Sequence, residues 1–292
     1  MQQKTSFTNT MRWRIAWLAA VWALFYGCAA WPVSEPVSVG DAVAVDYVCR
    51  IAEGAILATT REAVIKDEAE QLSHAFVPFR AYQPEQFTIG AYRSPWQGPD
   101  LHPLREEIAF RLAGRLQGLR YGRRHHLALA SAPIEGLPEQ ERTITFAVTY
   151  PLEKERTLPV QQFEQIVGKP PAVGEILFED KPVQWEVIEA LPDSVTVRFR
   201  VKQSHAVKMP EGPAVIRDQG EHFEVTVDAR VGQLVRVGPY VGQVSAVEQG
   251  RFTADFSHPF GGRELACEVV VQRAPASERD VEQAVRQAPD GL

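Results

Sequence analysis

Few residues in this chain are spaced for metal binding or nucleophilic catalysis. His125 and His126 are adjacent on a predicted strand, where consecutive side chains point to opposite faces, so they cannot readily bind one metal ion together. His102 is distant from both along the chain. The chain also lacks the motifs of serine hydrolases, zinc proteases, phosphate-binding loops and dinucleotide-binding folds. We therefore expect no metal ion and no cofactor, so any activity must come from shaped apolar surfaces.

Composition indicates a globular protein that does not bind nucleic acid. The chain has 292 residues, of which 45% are hydrophobic, and this length favours two domains over one. Its formal net charge is −6, whereas a nucleic-acid-binding domain would carry a clustered basic surface on a basic background. We expect no nucleic acid among its partners.

The N-terminal segment is typical of exported proteins. The first 14 residues hold three basic side chains and no acidic one, and an apolar run of 13 residues follows at 15–27. This run has the length of a signal peptide core and is short for a membrane span. Residues 24–28 resemble a bacterial lipobox, so we expect lipidation of Cys28. An uncleaved signal anchor and ordinary cleavage near Ala30 are the alternatives.

All three alternatives place the folded part outside the cytoplasm, in a bacterial cell envelope. The first two attach it to the membrane through the N-terminus, facing the periplasm. Residues 1–28 are then the signal and residues 29–36 a short tether.

Two segments near opposite ends of the chain have the pattern of half-buried strands. Residues 39–60 and 251–272 both alternate apolar and polar side chains, with turn residues at Glu53-Gly54 and at Pro259 with Gly261-Gly262. We expect the two segments to pair in one sheet, so that the chain between them forms a long insertion.

Three stretches, in order, resemble the FKBP-type peptidyl-prolyl isomerases. Residues 39–54 contain VGDxVxVxY and a glycine turn, residues 116–122 read LQGLRYG, and residues 257–271 begin SHPFGG and then alternate apolar residues. The resemblance is to the SlyD-like branch, in which a chaperone domain is inserted into the flap of the catalytic domain.

The resemblance implies an α+β fold: an FKBP-like antiparallel sheet wrapped on one helix, with an inserted all-β domain. Its expected extent is residues 37–150 plus 256–274, with the insertion at 151–255 and a C-terminal tail at 275–292. An apolar stripe predicts the helix over 104–119, and further strands are expected at 86–90, 126–131 and 143–150.

The insertion contains an internal echo. Residues 173–199 and 231–256 show the same order of Val-Gly, apolar strand and turn residues, at a spacing of about 58 positions. Two small β units or a single larger β domain would both account for this pattern.

Prolyl isomerisation requires no nucleophile, because its barrier of about 18–20 kcal/mol is amide resonance, which a dry apolar pocket lowers by favouring the twisted bond. The resemblance assigns catalytic roles to Tyr47, Leu57, Ile108 and Leu112, and substrate-binding roles to Tyr47, Leu112 and Cys267. At four positions this chain differs from the family's usual aromatic residue, Asp, Tyr and Phe, in that order: Leu57, Ala58, Glu135 and Cys267. Each lost aromatic contact gives up roughly 1–3 kcal/mol, and each 1.4 kcal/mol not recovered costs about tenfold in rate. We expect weak catalysis.

The resemblance also places Cys49 and Cys267 on neighbouring strands. We expect two buried thiols, with a disulfide as the alternative in an oxidising compartment. The implied function is a peptidyl-prolyl isomerase and folding chaperone for exported proteins, with unfolded or proline-containing polypeptides as partners. The alternative is a non-catalytic envelope binding or assembly module on the same scaffold.

Overall fold

A computed structural model describes residues 35–79, 81–96, 98–179, 183–201 and 207–275. The predicted signal segment, Cys28 and nearly all of the predicted C-terminal tail lie outside the described residues. The described residues from Pro36 onward form a single compact unit. Within the described ranges, no helix has the length and apolar character needed to cross a membrane.

The described part of the chain is dominated by antiparallel β-sheet, with a few short helices. The strands are β1 (Ala42–Arg50), β2 (Ile56–Thr59), β3 (Glu85–Thr88), β4 (Arg124–Leu129), β5 (Thr143–Ala147), β6 (Thr149–Glu153), β7 (Glu155–Pro159), β8 (Ile176–Leu177), β9 (Val183–Ala190), β10 (Ser194–Val201), β11 (Val207–Met209), β12 (Gly212–Asp218), β13 (His222–Val227), β14 (Leu234–Val237), β15 (Tyr240–Glu248), β16 (Arg251–Asp255) and β17 (Leu265–Arg273). The helices are α1 (Glu62–Asp67), α2 (Leu104–Ala113), α3 (Glu139–Arg142) and α4 (Val160–Val167), with one 3₁₀ turn at Ala69–Gln71.

The first sheet joins the two ends of the described chain. Its strand order is β2-β1-β17-β4, and β3 pairs with the remaining part of β1. In the β1–β17 ladder Tyr47 lies opposite Val269, and Cys49 lies opposite Cys267. The predicted pairing of the two distant segments is therefore confirmed for β17, whereas residues 251–255 of the second segment form β16 in another sheet. More than 130 residues separate β4 from β17.

Helix α2 supplies apolar side chains to the core of this sheet. Leu104, Ile108 and Leu112 are completely buried, as the apolar stripe predicts. The helix ends at Ala113, with Gly114 as its C-cap, so the prediction that it extends to residue 119 is wrong. Leu116 is still fully buried, because the chain after the helix continues across the same core in turns.

Three further sheets share one topology. Each contains a three-stranded meander, formed by β8-β9-β10, β11-β12-β13 or β14-β15-β16. A fourth strand from earlier in the chain pairs with the last strand of each meander. These earlier strands pair in reverse order: β7 with β10, β6 with β13 and β5 with β16.

The first and third meanders are the two copies of the sequence echo. Gly174 and Gly232 both have a left-handed φ, 85° and 86°, and each N–H donates to the backbone oxygen of a valine on the second strand of its meander at 2.7 and 2.8 Å. The register shifts at the equivalent point of both copies, next to Val187 and next to Val244.

All three sheets have a threonine pair between the same two strands. Cross-strand hydroxyl contacts of 3.0–3.3 Å join the last meander strand to the earlier strand: Thr157 with Thr196, Thr149 with Thr226 and Thr145 with Thr253. The meander of β11–β13 is thus a third unit, which the sequence pattern did not reveal. Buried residues from all three sheets form one continuous core.

The strand predicted over residues 143–150 is two strands in two sheets. At Val148 the backbone N–H donates to Gly250 and the backbone oxygen accepts from Val227, so the chain crosses from β16 to β13 at this residue. Both strands therefore pair with strands of the meanders. The last strand of the first sheet before them is β4, which ends at Leu129.

The third meander also contacts the first core. Leu234 and Val241, on β14 and β15, are buried among the residues of the first sheet and α2. The loop at 256–262 lies against this hairpin, since a Cβ atom on Gly261 would be 2.3 Å from Leu234 Cδ2. The SHPFGG motif therefore forms a close joint between the two cores.

Candidate functional site

The structure brings together the five residues predicted to line a proline-binding pocket. Tyr47 lies on β1, Leu57 on β2, Ile108 and Leu112 on α2 and Cys267 on β17, and all belong to the same buried cluster. Four of them have no exposed surface, and Cys267 is 1% exposed. A proline ring approaching from solvent would contact none of them in this conformation.

The side chain of Phe79 packs against Tyr47. The two rings meet edge to face, with centroids 6.5 Å apart. Phe79 itself stacks on Tyr82 at 6.0 Å and lies under the guanidinium of Arg105 at 4.5 Å. The pocket side of Tyr47 is therefore filled by the protein's own aromatic residues, which come from the segment between α1 and β3 that the sequence pattern left without a role.

The Tyr47 backbone is hydrogen-bonded through its N–H and its oxygen, but the Tyr47 hydroxyl has no hydrogen-bond partner within the described residues. Its backbone N–H donates to Thr60 Oγ1 at 2.9 Å, and its backbone oxygen accepts from Thr59 Oγ1 at 2.9 Å. Burial raises the pKa of the Tyr47 phenol far above its usual range, with a smaller effect of the same sign from Glu85. Position 58, where the family usually has an aspartate, is the buried alanine Ala58 on β2.

Cys49 and Cys267 are joined by a disulfide bond across the β1–β17 ladder. The expectation of two free buried thiols is therefore wrong, because the two strands pair in the one register that places the cysteines opposite each other. The Cys267 sulfur is bonded within the core and presents no free thiol to a substrate. Glu135, predicted at the rim, is exposed in the loop that follows β4 and is not part of the buried cluster.

A groove of about 810 Å³ lies in the three-meander part of the chain. It is lined by strands β10 and β12, by Phe223 of β13 and by the connection between β6 and β7. Its apolar lining residues are Phe199, Val201, Val215, Ile216 and Phe223. Val215 is 39% exposed, so apolar surface is accessible there.

The charged side chains that line this groove are all in ion pairs, although Arg200 and Arg217 pair with Glu186 and Glu224, which are outside the lining, at 2.9 and 3.9 Å. Lys154 bonds Asp218 at 2.7 Å, and Arg198 bonds Glu155 at 2.7 Å. The Lys154 ammonium also lies 5.0 Å from the centre of the Phe223 ring. The groove therefore has an apolar floor with a paired, polar rim, which suits a chain segment of no particular charge.

Backbone pairing covers the strands of this groove only in part. Among the described residues, β7 pairs with β10 as far as Arg198, and β11 pairs with β12 as far as Ala214. The lining stretches 200–201 and 215–218 therefore pair on one side only, with β9 and β13, so a polypeptide in the groove would meet strand edges as well as side chains. The sequence did not identify this site, because two of its strands belong to the unit that the echo missed.

Comparison with known proteins provides no relative for this chain: no protein-family description matches it, and no curated protein sequence is significantly similar.

Proposed function

We propose that this protein is an exported polypeptide-binding folding helper, built on an FKBP-like domain whose prolyl isomerase pocket is closed. In this proposal the first sheet with α2 is the FKBP-like domain, and the three meanders form a chaperone insertion. The groove between β10 and β12 binds unfolded clients.

Burial of Tyr47, Leu57, Ile108 and Leu112 is the observation that carries the non-catalytic part of the proposal. An isomerase must hold a proline ring in contact with its pocket at the transition state. Here Phe79 already packs against the key tyrosine, so a substrate would have to displace a stacked aromatic residue. The Cys49–Cys267 disulfide supports an oxidising compartment and hence export.

A protease-coupled proline-peptide assay tests the closed pocket. We expect the chain from Trp31 onward to give the uncatalysed rate of isomerisation. A clear acceleration that is lost in Tyr47→Ala would contradict the closed pocket and restore the isomerase assignment. One observation favours that second candidate: the buried Tyr47 hydroxyl has no partner among the described residues, and a bound peptide carbonyl would satisfy it.

Client binding is tested by a matched pair of valine substitutions. Val215 lines the groove on β12, while Val247 on β15 is outside its lining, and both are 39% exposed. Val215→Asp should weaken suppression of aggregation of an unfolded test protein, because it adds an unpaired charge to the apolar floor. Val247→Asp should leave suppression unchanged, and equal losses in both variants would argue against the groove.

A further inference from the structure

We propose that an arginine-lined pocket binds the phosphate groups of an anionic membrane surface. The pocket is on the part of the protein formed by the first sheet and α2, close to the N-terminal end of the described chain. This inference rests on the membrane attachment expected for the N-terminal segment. We use the name arginine pocket for the cavity of about 380 Å³ that Arg93, Arg111, Arg115, Tyr92 and Phe110 line.

The arginine pocket combines positive charge with aromatic surface. Arg93 comes from the loop after β3, and Arg111 and Arg115 come from α2 and the turn that follows it. No carboxylate is among its lining residues. Guanidinium groups are the side chains best suited to bind phosphate oxygens, since they present several N–H donors in a fixed plane.

A buried carboxylate fixes one of these arginines in place. Glu107 has no exposed surface, and its two oxygens bond Arg111 Nε at 2.7 Å and His102 Nδ1 at 3.0 Å. His102 is in turn stacked on Trp96, with ring centroids 3.6 Å apart, and Trp96 meets Phe110 edge to face. The Nε of Arg111 is used behind the pocket, so the guanidinium is oriented while the carboxylate that holds it stays out of a ligand's reach.

The other two arginines, Arg93 and Arg115, are not held by a carboxylate within the described ranges. Arg93 Nη1 donates to the backbone oxygens of Gly90 and Tyr92, at 3.1 and 3.5 Å. Arg115 is exposed and forms no ion pair within the described ranges. Both side chains can therefore turn toward an anion without breaking a salt bridge.

The charge of the surrounding segment differs sharply from that of the whole protein. Residues 108–134 contain five arginines and no aspartate or glutamate, in a chain whose formal net charge is −6. Such a segment is attracted to an anionic surface, whereas the rest of the chain is repelled by it.

The first described residues of the chain contact this segment. The Val37 N–H donates to Leu119 at 2.7 Å, and the Gly118 N–H donates to Val37 at 2.8 Å. Val39, which is 64% exposed, lies against Gly90 of the pocket lining. The eight residue steps from Cys28 to Pro36 span at most about 28 Å when extended. A chain anchored at or before Cys28 therefore keeps the arginine pocket near the membrane, and this proximity favours lipid phosphate over other anions.

The test uses the full chain assembled in lipid nanodiscs and hydrogen exchange of the backbone amides around the pocket, residues 90–93 and 111–118. Nanodiscs of phosphatidylcholine are compared with nanodiscs of equal parts phosphatidylcholine and phosphatidylglycerol. We expect slower exchange only in the anionic nanodiscs. At about 1 M salt, where the Debye length is about 3 Å, the difference should disappear.

A matched pair of double variants assigns the effect to the pocket. Arg93→Gln/Arg115→Gln should lower the ratio of docked to undocked protein roughly thirtyfold, or about fivefold for each arginine near an anionic surface. Arg156→Gln/Arg251→Gln removes the same charge from exposed positions on β7 and β16, and should behave like the unchanged protein.

The other outcomes overturn the inference and identify the reason. Equal protection in both nanodiscs would show that lipid charge has no role. Protection in phosphatidylcholine nanodiscs on adding inorganic phosphate would assign the pocket to a soluble anion, and protection on adding polyglutamate would assign it to an acidic polypeptide. Failure of the full chain to remain with any nanodisc would instead refute membrane attachment, and the inference with it, while leaving the client-binding test unaffected.

Discussion

The hydroxyl of Tyr47 is a polar group inside an apolar core. It has no partner among the described residues, and a buried hydroxyl left without a hydrogen bond costs about 1–3 kcal/mol. We therefore expect Tyr47→Phe to raise the free energy of unfolding by about 1 kcal/mol or more, measured by urea denaturation. The matched substitution is Tyr121→Phe, since the Tyr121 hydroxyl donates to Asp41 Oδ2 at 2.7 Å and its loss should destabilise. Destabilisation by both changes would mean that the Tyr47 hydroxyl is satisfied in solution.

His74 links the segment before β3 to the third meander and should make stability depend on pH. Its Nε2 lies 2.6 Å from the Leu234 backbone oxygen, where it serves as the donor. Burial lowers the pKa of His74, the hydrogen bond to Leu234 partly opposes this, and the charge of Lys208 lowers it further, so the pKa lies below its ordinary value of 6.5.

The sign of the effect follows from proton binding. Between the folded pKa of His74 and 6.5, the unfolded chain binds more protons than the folded chain. The contribution of His74 to stability is therefore fully present above about pH 6.5 and is lost as pH falls through the folded pKa. Denaturation from pH 7.5 to 5 should show this decline, and His74→Gln should reduce it. His222→Gln, at a half-buried position on β13, is the control. An unchanged slope in His74→Gln would assign the decline to other groups.

At the scale of the elements, local pattern predicted those whose apolar periodicity coincides with their own burial. Strand β17 alternates in sequence and in burial, and β1 sends alternate residues into the core, Val43, Val45, Tyr47 and Cys49. The two copies of the echo have the same hydrogen bonds at Gly174 and Gly232. The end of α2 was missed because Leu116 continues the apolar stripe beyond the helix, in turns that pack on the same core.

Two other features depend on contacts between distant segments. The second meander begins with the three-residue strand β11 and continues through Gly212 and Pro213, so its run of apolar residues is too short and interrupted to predict a strand pair. The closure of the Tyr47 pocket by Phe79 is a packing event, and no periodicity in residues 62–84 indicates it. Candidate pocket residues could thus be brought together by a resemblance, whereas their accessibility could not.

The joint between the two cores should depend on a single glycine. A Cβ atom on Gly261 would lie 2.3 Å from Leu234 Cδ2 and 2.9 Å from the Gly242 oxygen, whereas a Cβ on Gly262 would have only Gln243 Oε1, at 3.8 Å, within 4 Å. Both glycines have a left-handed φ, 60° and 70°, so the backbone cost of alanine is similar at the two positions. We expect Gly261→Ala to lower the free energy of unfolding by about 1–3 kcal/mol more than Gly262→Ala, measured by urea denaturation. Equal losses would show that the close approach is relieved without cost.

The whole molecule is organised by nested pairing. Strands β5, β6 and β7 precede the three meanders in the chain. Their partners follow in reverse order: β7 pairs with β10, β6 with β13 and β5 with β16. All of these strands lie between β4 and β17, so the first sheet closes around them. Pairing of this kind is dominated by contacts between residues far apart in the chain, which are expensive in chain entropy.

The Cys49–Cys267 disulfide acts on this cost, because it joins strands separated by 218 positions. In the chain-entropy account a loop of that length stabilises by roughly 5 kcal/mol, and removal of native disulfides typically costs about 2–5 kcal/mol. We expect Cys49→Ala/Cys267→Ala to lower the free energy of unfolding by about 2–5 kcal/mol, measured by urea denaturation. A reductant should destabilise the unchanged protein to a similar extent and leave the double variant unaffected. If the double variant were as stable as the unchanged protein, the β1–β17 ladder alone would be holding the chain closed, and the bond would have no part in restraining the unfolded state.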